Sequence, residues 1–460
     1  MSNTITNTNL NVSAALGNAI NAVLSSNSIT EFTLDIQITN TDDSTYNFVP
    51  DWIDKLTITQ NFAEKFGDIV MLDFQSSPTD YMKLFNNSKS LQVALRIVYY
   101  DSQNSQRVFT PPPIARVYKA MLVNPQDLSK KYTTGSLMPT AAMPQTEQHV
   151  SARIPTTLHL IETTVYTLRQ QKVHGIYQSA KSADVMAHII QSFSIKQLYM
   201  VPPDNLMVWD HIVIPPALGI DEIFDYLQYH HGVYMKGIDW YYTNNMMYIY
   251  PAYENNPVIQ YKANIYNAPD GSYAGMHSYH NSIPASNQLG IVSTSKVKTK
   301  DISRPAAENV GTNFSFVRAS SIIDKFSTTT AKGTFINNNN SLTVGSTTDR
   351  TISNNANNPQ YTKVTDNIFE ESSKLAKWDA VRLECDWINA VPFLLYPGHN
   401  ITYSFDKNSV FTSQQGILEG VVYTFNRKRQ LGNGYVYGGN ATLTFRADSD
   451  VTNTPQTTSL

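Results

Sequence analysis

Apolar side chains recur along this chain with two periods, and the switch between them divides it. Over residues 31–170 the period is two. Phe32, Leu34, Ile36 and Ile38 alternate with polar neighbours, and Leu56 with Ile58 and Ile69 with Met71 continue the pattern. Leu91, Val93, Leu95, Ile97 and Tyr99 alternate strictly. Alternation places one set of side chains on each face of a strand. The second strand face here, Gln92, Ala94, Arg96 and Val98, is expected to point away from the core. Leu158, Leu160, Val165, Tyr166 and Leu168 read as further strand, and Pro78 to Phe85 as one or two turns of helix. Several strands with short polar turns and few helices predict a small antiparallel barrel or sandwich.

From Ser182 to Pro251 the period becomes helical. Val185, Met186, Ile189, Ile190 and Phe193 share one face, with Ser182 placed to cap the helix. Val208 to Ile214 reads as a strand bounded by Pro202-Pro203 and Pro215-Pro216. Ile220, Ile223, Phe224 and Leu227 form the stripe of a second helix that Gly232 ends. Val233 to Met235, Ile238 to Tyr242 and Met246 to Tyr250 read as strands, the last two joined at Asn244-Asn245, since Asn tolerates positive φ. This is a compact α+β module whose apolar positions are all accounted for by packing. Ile189, Ile223, Phe224 and Leu227 are expected to share its core.

Beyond it, Val258 to Tyr266 and Gly290 to Lys298 return to strand, and residues 387–446 carry a further series with a hairpin turn at Gly432-Asn433-Gly434. Phe369 to Trp378 reads as a helix. The segment 328–360, with Asn337 to Asn340, is poor in apolar residues and reads as a long loop or hairpin arm. The resulting scheme is an arm (1–30), a first β-rich block (31–175), an inserted α+β module (176–257), a second β-rich block (258–447) carrying the 328–360 loop, and a polar tail (448–460). Within the arm, Val12 to Val23 patterns as a short helix too weak to stand alone. It reads as a disordered arm or as a segment that orders against a partner, the use its apolar residues suggest.

The order of the module resembles baseplate hub proteins of contractile-tailed bacteriophages, the late control protein D family and the related base of type VI secretion spikes. The matching residues are the two helices, then Gly232-Val233-Tyr234, Trp240-Tyr241 and Met247 to Pro251. A second echo runs through Leu394-Leu395-Tyr396-Pro397-Gly398-His399-Asn400-Ile401, Gly420 to Phe425, and Thr442 to Phe445. The resemblance implies a mainly β chain with two tail-tube-like antiparallel barrels and an α+β insertion. It implies a homotrimer in the virion, assembled in the host cytoplasm. Such a trimer would join the tail tube or a distal tail protein to a central spike, contact other baseplate proteins, and let genomic DNA pass transiently through its lumen. A distal tail adaptor is the nearest alternative. A cell-wall hydrolase or glycan-binding module is an alternative of another class.

Composition narrows this picture. Charged residues make up only 15% of 460, below the usual quarter, while Tyr reaches 27. Such surfaces suit protein–protein contact as well as an ordinary β protein. The formal charge of −3 supplies no global attraction for nucleic acid. A single cysteine, Cys385, excludes a disulfide framework and multi-cysteine metal sites. No apolar run reaches the roughly 18–20 residues of a membrane helix, so no stable membrane association is expected. The N-terminus lacks the basic region of a secretory signal.

Candidate chemistry is sparse. His277 and His280 form an H-x-x-H pair in a Gly/Ser/Tyr loop without further ligands. His230-His231 closes a helix, where a cation favours the dipole. Asp42-Asp43, Asp221-Glu222 and Glu370-Glu371 are adjacent acids, and Asp221-Glu222 suits a helix start. Asn426-Arg427-Lys428-Arg429 is the one dense basic run, placed to touch DNA or to ion-pair near a hairpin tip. No nucleophile elbow, phosphate loop or H-E-x-x-H occurs. The expectation is no catalytic, cofactor or metal residues, no cofactor, and a non-enzymatic role.

Overall fold

The structure, a computed structural model, describes residues 14–24, 31–41, 47–50, 52–63, 67–101, 104–109, 113–123, 153–193, 195, 197–253, 262–268, 288–293, 298–301, 315–317, 328–330, 380–407, 410–431 and 434–448. The expected helix Phe369–Trp378, most of the 328–360 loop, the start of the arm and the tail after 448 lie outside these residues.

Strands dominate. The first half holds β1 (Glu31–Asn40), β2 (Asn47–Phe48), β3 (Trp52–Asn61), β4 (Ile69–Ser76), β5 (Leu91–Asp101), β6 (Gln106–Val108), β7 (Ile114–Leu122) and β8 (Ile154–Glu162). The module adds β9 (Lys172–Ala180), β10 (Gln197–Met200), β11 (Trp209–Gly219), β12 (Ile238–Thr243) and β13 (Met246–Pro251). Then come β14 (Lys262–Asn267), β15 (Gln288–Ser293), β16 (Lys298–Asp301), β17 (Ser315–Val317), β18 (Thr328–Thr330), β19 (Ala380–Ile388), β20 (Asn400–Lys407), β21 (Val410–Leu431) and β22 (Gly434–Asp448). The chain is mainly β with an α+β insertion, as the sequence and the resemblance imply.

The order β21-β3-β4-β8-β7-β5-β1-β22 closes on itself because β21 also pairs with β22. Every pairing in this eight-stranded barrel is antiparallel. Closure leaves no exposed edge among these strands. The hairpin β21–β22 is long, with strands of 22 and 15 residues. One end completes the barrel, where Val421–Asn426 pairs with Lys55–Gln60 and Phe32 with Tyr437. The other end organises a second set, β15-β14-β20 on β21 and β19-β16 on β22. Glycines sit where the hairpin passes between the two. A Cβ at Gly439 would lie 2.7 Å from the Ala390 carbonyl oxygen, and one at Gly420 2.9 Å from that of Gln60. Only glycine admits so close a backbone approach.

An eight-stranded barrel is just wide enough for side chains to fill it. Phe32, Ile36, Leu56, Ile58, Leu72, Val93, Leu95, Leu158, Tyr423 and Phe425 do so, all buried. The alternation in β5 holds. Leu91, Val93, Leu95, Ile97 and Tyr99 face the core, Gln92 is half-buried, and Ala94 and Arg96 are exposed. Val98 departs from the expected outward face and is buried near Tyr100, over which Arg429 lies.

The module has its own core. Ile189, Ile223, Phe224 and Leu227 are all buried there as expected, and Phe224 packs edge-on against Trp240 at 4.9 Å between ring centres. The turn Asn244-Asn245 has φ of 51° and 62°, the two positive values that a tight hairpin of this hand requires. Gly232, with φ of 70°, ends its helix.

Several expectations are corrected. Val165, Tyr166 and Leu168 lie on a short helix, Thr163–Leu168, which turns Val165 and Leu168 into the module core. Residues 233–235 form no strand. The Gln228 side chain replaces the ladder, accepting from the N–H of Val233 and Tyr234 at 3.1 and 3.0 Å and donating to the Tyr234 carbonyl at 2.8 Å. Pro215-Pro216 does not end its strand. β11 runs past it through a register shift between Ile214 and Leu218, and its single partner β9 leaves the prolines' missing donors uncosted. Ser182 opens the helix Ser182–Ser192 as its first residue and Lys181 is the cap. The helix Ala14–Leu24 finds its apolar partner within the chain, burying Leu16 and Ile20 against Ala268 and Val292.

Candidate functional site

The chemistry of this fold gathers where the module meets the barrel, in two buried polar clusters. The first lies at the end of the barrel that the hairpin β12–β13 plugs. Tyr241 from β12 belongs to the barrel core and meets Phe62 edge-on at 4.9 Å. Asp68, buried, accepts from Gln60 at 2.9 Å, from the Tyr241 hydroxyl at 3.1 Å and from Thr243 at 3.3 Å. Burial raises the Asp68 carboxyl above its ordinary range, against the hydrogen bonds and Arg116, which lower it. Glu162, at the end of β8, accepts from the backbone N–H groups of Asn244 and Asn245. Burial and then the charge of Asp68 push it up to about 7. Two barrel carboxyls thus hold the tip of the module's hairpin.

The second cluster lies where β22 passes the module. Arg446 donates to Asp239 of β12 at 2.7 Å and to the Ala252 carbonyl at 2.9 Å, and reaches Glu419 of β21 at 3.5 Å. Arg382 of β19 also binds Glu419, through two donors. Burial alone would lower the Arg446 guanidinium, but Asp239 and Glu419 beside it raise it above its ordinary value. A buried charge is tolerated when paired and hydrogen-bonded in this way. The second cluster pairs each of its charges, while in the first the carboxyls are held by neutral donors from the hairpin and from Gln60, so both tie the module to the barrel.

The candidates from the sequence are placed as follows. His277, His280, Asp42, Asp43, Glu370 and Glu371 lie outside the described residues. Glu222 accepts from the Gly219 N–H at 3.1 Å, and Asp221 is exposed in the same first turn. The pair His230-His231 is corrected. His231 is buried edge-on against Trp209 at 4.8 Å, and burial, then the charge of His230, pushes it down to about 4, so it is neutral and no cation for the dipole. His230 packs between Tyr226 and Tyr229. Burial raises the Cys385 thiol, which stays protonated inside β19. Of the basic run, Arg427 stacks on Trp52 and Tyr435 at 4.2 and 4.9 Å, and Lys428 and Arg429 reach Glu31 at 3.6 and 3.2 Å. Among the described residues no three His, Cys, Asp or Glu side chains gather to hold a metal, and no helix is long and apolar enough to cross a membrane.

The joint residues Asp68, Glu162, Asp239, Tyr241, Glu419 and Arg446 carried no signal in the sequence, because Asp68 and Tyr241 stand 173 residues apart and Asp239 and Arg446 207.

A protein-family model described as the bacteriophage PBS1 gene 109 protein matches residues 22–380. No curated protein matches the chain. Among solved structures, the chain is similar to the tail protein from Neisseria meningitidis MC58 at 10% identity, covering 91% of this chain and 98% of that one with a TM-score of 0.47. It is similar to the 43 kDa tail protein of prophage MuSo2 from Shewanella oneidensis at 10% identity, covering 92% and 100%, with a TM-score of 0.44. A third similarity is to the E. coli c3393 protein, a type VI secretion component, at 9% identity, covering 85% and 73%, with a TM-score of 0.38.

Proposed function

The chain belongs to the family of the bacteriophage PBS1 gene 109 protein, and from that premise we propose that it is a structural protein of the phage tail, the hub of the baseplate. The resemblance drawn from the sequence pointed to bacteriophage proteins, and the matching family is a bacteriophage one. In this reading three copies join the tail tube, or a distal tail protein, to a central spike within the virion. Its work is geometric and non-enzymatic.

The observation that carries the reading is the filled barrel. Its interior is occupied by buried side chains and its module end is plugged by Tyr241. Such a barrel holds no passage of its own, so a conduit for DNA has to lie between copies of the chain. The buried joint supports the same reading, since a connector must transmit force between its parts without separating them. A passage for DNA must also release its cargo. Each neutralised phosphate adds affinity by counterion release, so the wall facing the DNA is neutral or acidic. Native mass spectrometry of the purified chain, with an activity screen on cell-wall substrates, tests the proposal. Three chains per particle and no hydrolysis are expected. A monomer that cleaves cell wall would overturn it.

A further inference from the structure

The module and the rest of the chain differ in charge. Residues 172–251, from β9 through β13, hold seven Asp and Glu against four Lys, whereas the remainder holds 30 acids against 30 Lys and Arg. The net negative charge of the chain therefore resides in the module. The module also exposes an unpartnered sheet face. Ile176 of β9 and Val213 of β11 stand directly opposite each other and are 67% and 48% exposed. The next pair, His211 and Gln178, is exposed and carries no carboxylate or ammonium. Acids flank this face at Asp184, Asp210 and Asp221, all exposed. Lys172, exposed at one end of the same strand face, and Lys181 at the other are the only ammonium groups beside it among the described residues of β9 and β11 and their ends, and a two-stranded sheet with so apolar a centre is built to be covered.

The barrel carries the matching surface. A groove of about 1010 Å³ runs over β1, β5 and β7, lined in part by Asp35, Val49, Arg96, Arg107, Val117 and Tyr435. Val49 and Val117 are 58% and 49% exposed and give it an apolar floor. Tyr435 links it to the basic end of the hairpin, where Arg427 stacks on the same ring. There Lys428 and Arg429 reach Glu31, and Arg153 and Arg427 lie over the ring of Trp52, whose N–H donates to Asp54. An apolar centre inside a charged rim is the usual anatomy of an interface, and here the two rims have opposite sign.

We infer that the β9–β11 face of the module seats in the barrel groove of a neighbouring copy of this chain. The two surfaces are different parts of one chain, so the contact is head-to-tail, the kind that closes into a ring when the rotation between copies is a whole fraction of a turn. The inference rests on the multimeric hub reading and names the contact that builds it.

Two full-length variants test it by sedimentation velocity in 50 mM and 500 mM salt. Ile176→Asp with Val213→Asp spoils the module face alone, and Arg427→Glu with Arg429→Glu spoils the barrel rim alone. All four positions are exposed, and a far-ultraviolet spectrum matching wild type checks that each variant folds. Each variant alone is expected to be monomeric, with association at least tenfold weaker than wild type. Mixed in equal amounts, they are expected to form a one-to-one dimer and nothing larger, because one intact module face meets one intact barrel. Wild-type association is expected to weaken in high salt. Variants that still form the wild-type particle would overturn the inference and leave the hub reading standing. So would two monomeric variants that fail to pair when mixed. A wild-type chain that stays monomeric in both salts would overturn the contact, while its presence or absence in the tail would decide the hub reading separately.

Discussion

The barrel and the module are both well packed, but they reach their cores by opposite routes. In the module, polar bonds span short stretches of chain. Gln228 ties residues five and six positions away, and Asn205 reaches His231 across 26. In the barrel, the Tyr437 hydroxyl donates to the Ile53 carbonyl across 384 residues, and Arg429 meets Glu31 across 398. Local contacts close small loops and form early, while distant ones wait for the chain. During synthesis β1, β3, β4, β5, β7 and β8 emerge long before the hairpin β21–β22 that joins β3 to β1. Until then β1 and β3 are open edges, and the module offers a folded unit beside them. The joint at Asp68, Glu162 and Arg446 then couples a local unit to a non-local one.

That contrast can be broken from either side, and the largest effect is expected inside the module. Phe224→Ala empties a buried ring site and should cost about 3–5 kcal/mol. In amide exchange the loss should appear in the helices Ser182–Ser192 and Ile220–His231 first, with the barrel strands protected. Uniform loss across the chain would show that the two regions are not separable. Arg446→Met acts at the joint. It leaves Asp239 and Glu419 buried without their shared cation, and breaking such a pair costs about 3–5 kcal/mol. Denaturant unfolding should then split into two transitions.

Glu162→Gln sharpens the comparison through pH. The folded carboxyl titrates near 7 against 4.5 for the free group, so the folded state holds its proton more tightly. Its stabilising contribution is complete below pH 4.5 and is lost as pH rises through 7. The cost to wild type above pH 7 is up to about 3 kcal/mol, reduced by solvent screening at this partly exposed position. The variant should therefore show a flatter stability profile between pH 4.5 and 7.5 and match or exceed wild type at the upper end. Melting curves across that range decide it, and parallel profiles would remove the carboxyl from the account. The smallest effect belongs to Tyr241→Phe, which keeps the ring against Phe62 and removes one of several donors to Asp68. It should cost about 1 kcal/mol, read as a shift in denaturant midpoint without a second transition.

Legibility in the sequence follows the same division. The module's helices and its Asn244-Asn245 turn were readable because stripes, caps and turn residues act over a few positions. Residues 233–235 look like strand in the sequence and form none, because a side chain takes over a backbone role there, as Gln228 does for Val233 and Tyr234. The core face of β5 was readable from alternation alone. The partners of β1 and β3 were not, because nothing in Phe32 or Leu56 names Tyr437 or Phe425. The joint was invisible for that reason, since Asp68 and Glu162 look like ordinary surface acids until the hairpin is seen to cover them. The basic run stands out in the sequence, and its stacking on Trp52 does not, because the aromatic partner lies on a distant strand.

The hub reading meets its most direct test in an electron cryomicroscopy reconstruction of the tail end of the assembled virion. The account predicts three copies of this chain in a closed ring between tube and spike. Their barrels should be filled and the central opening lined mainly by Asn, Gln, Ser, Thr, Asp and Glu. A tail without this chain, an arrangement with no three-fold or six-fold ring, or a wide opening densely lined by Lys and Arg would contradict it.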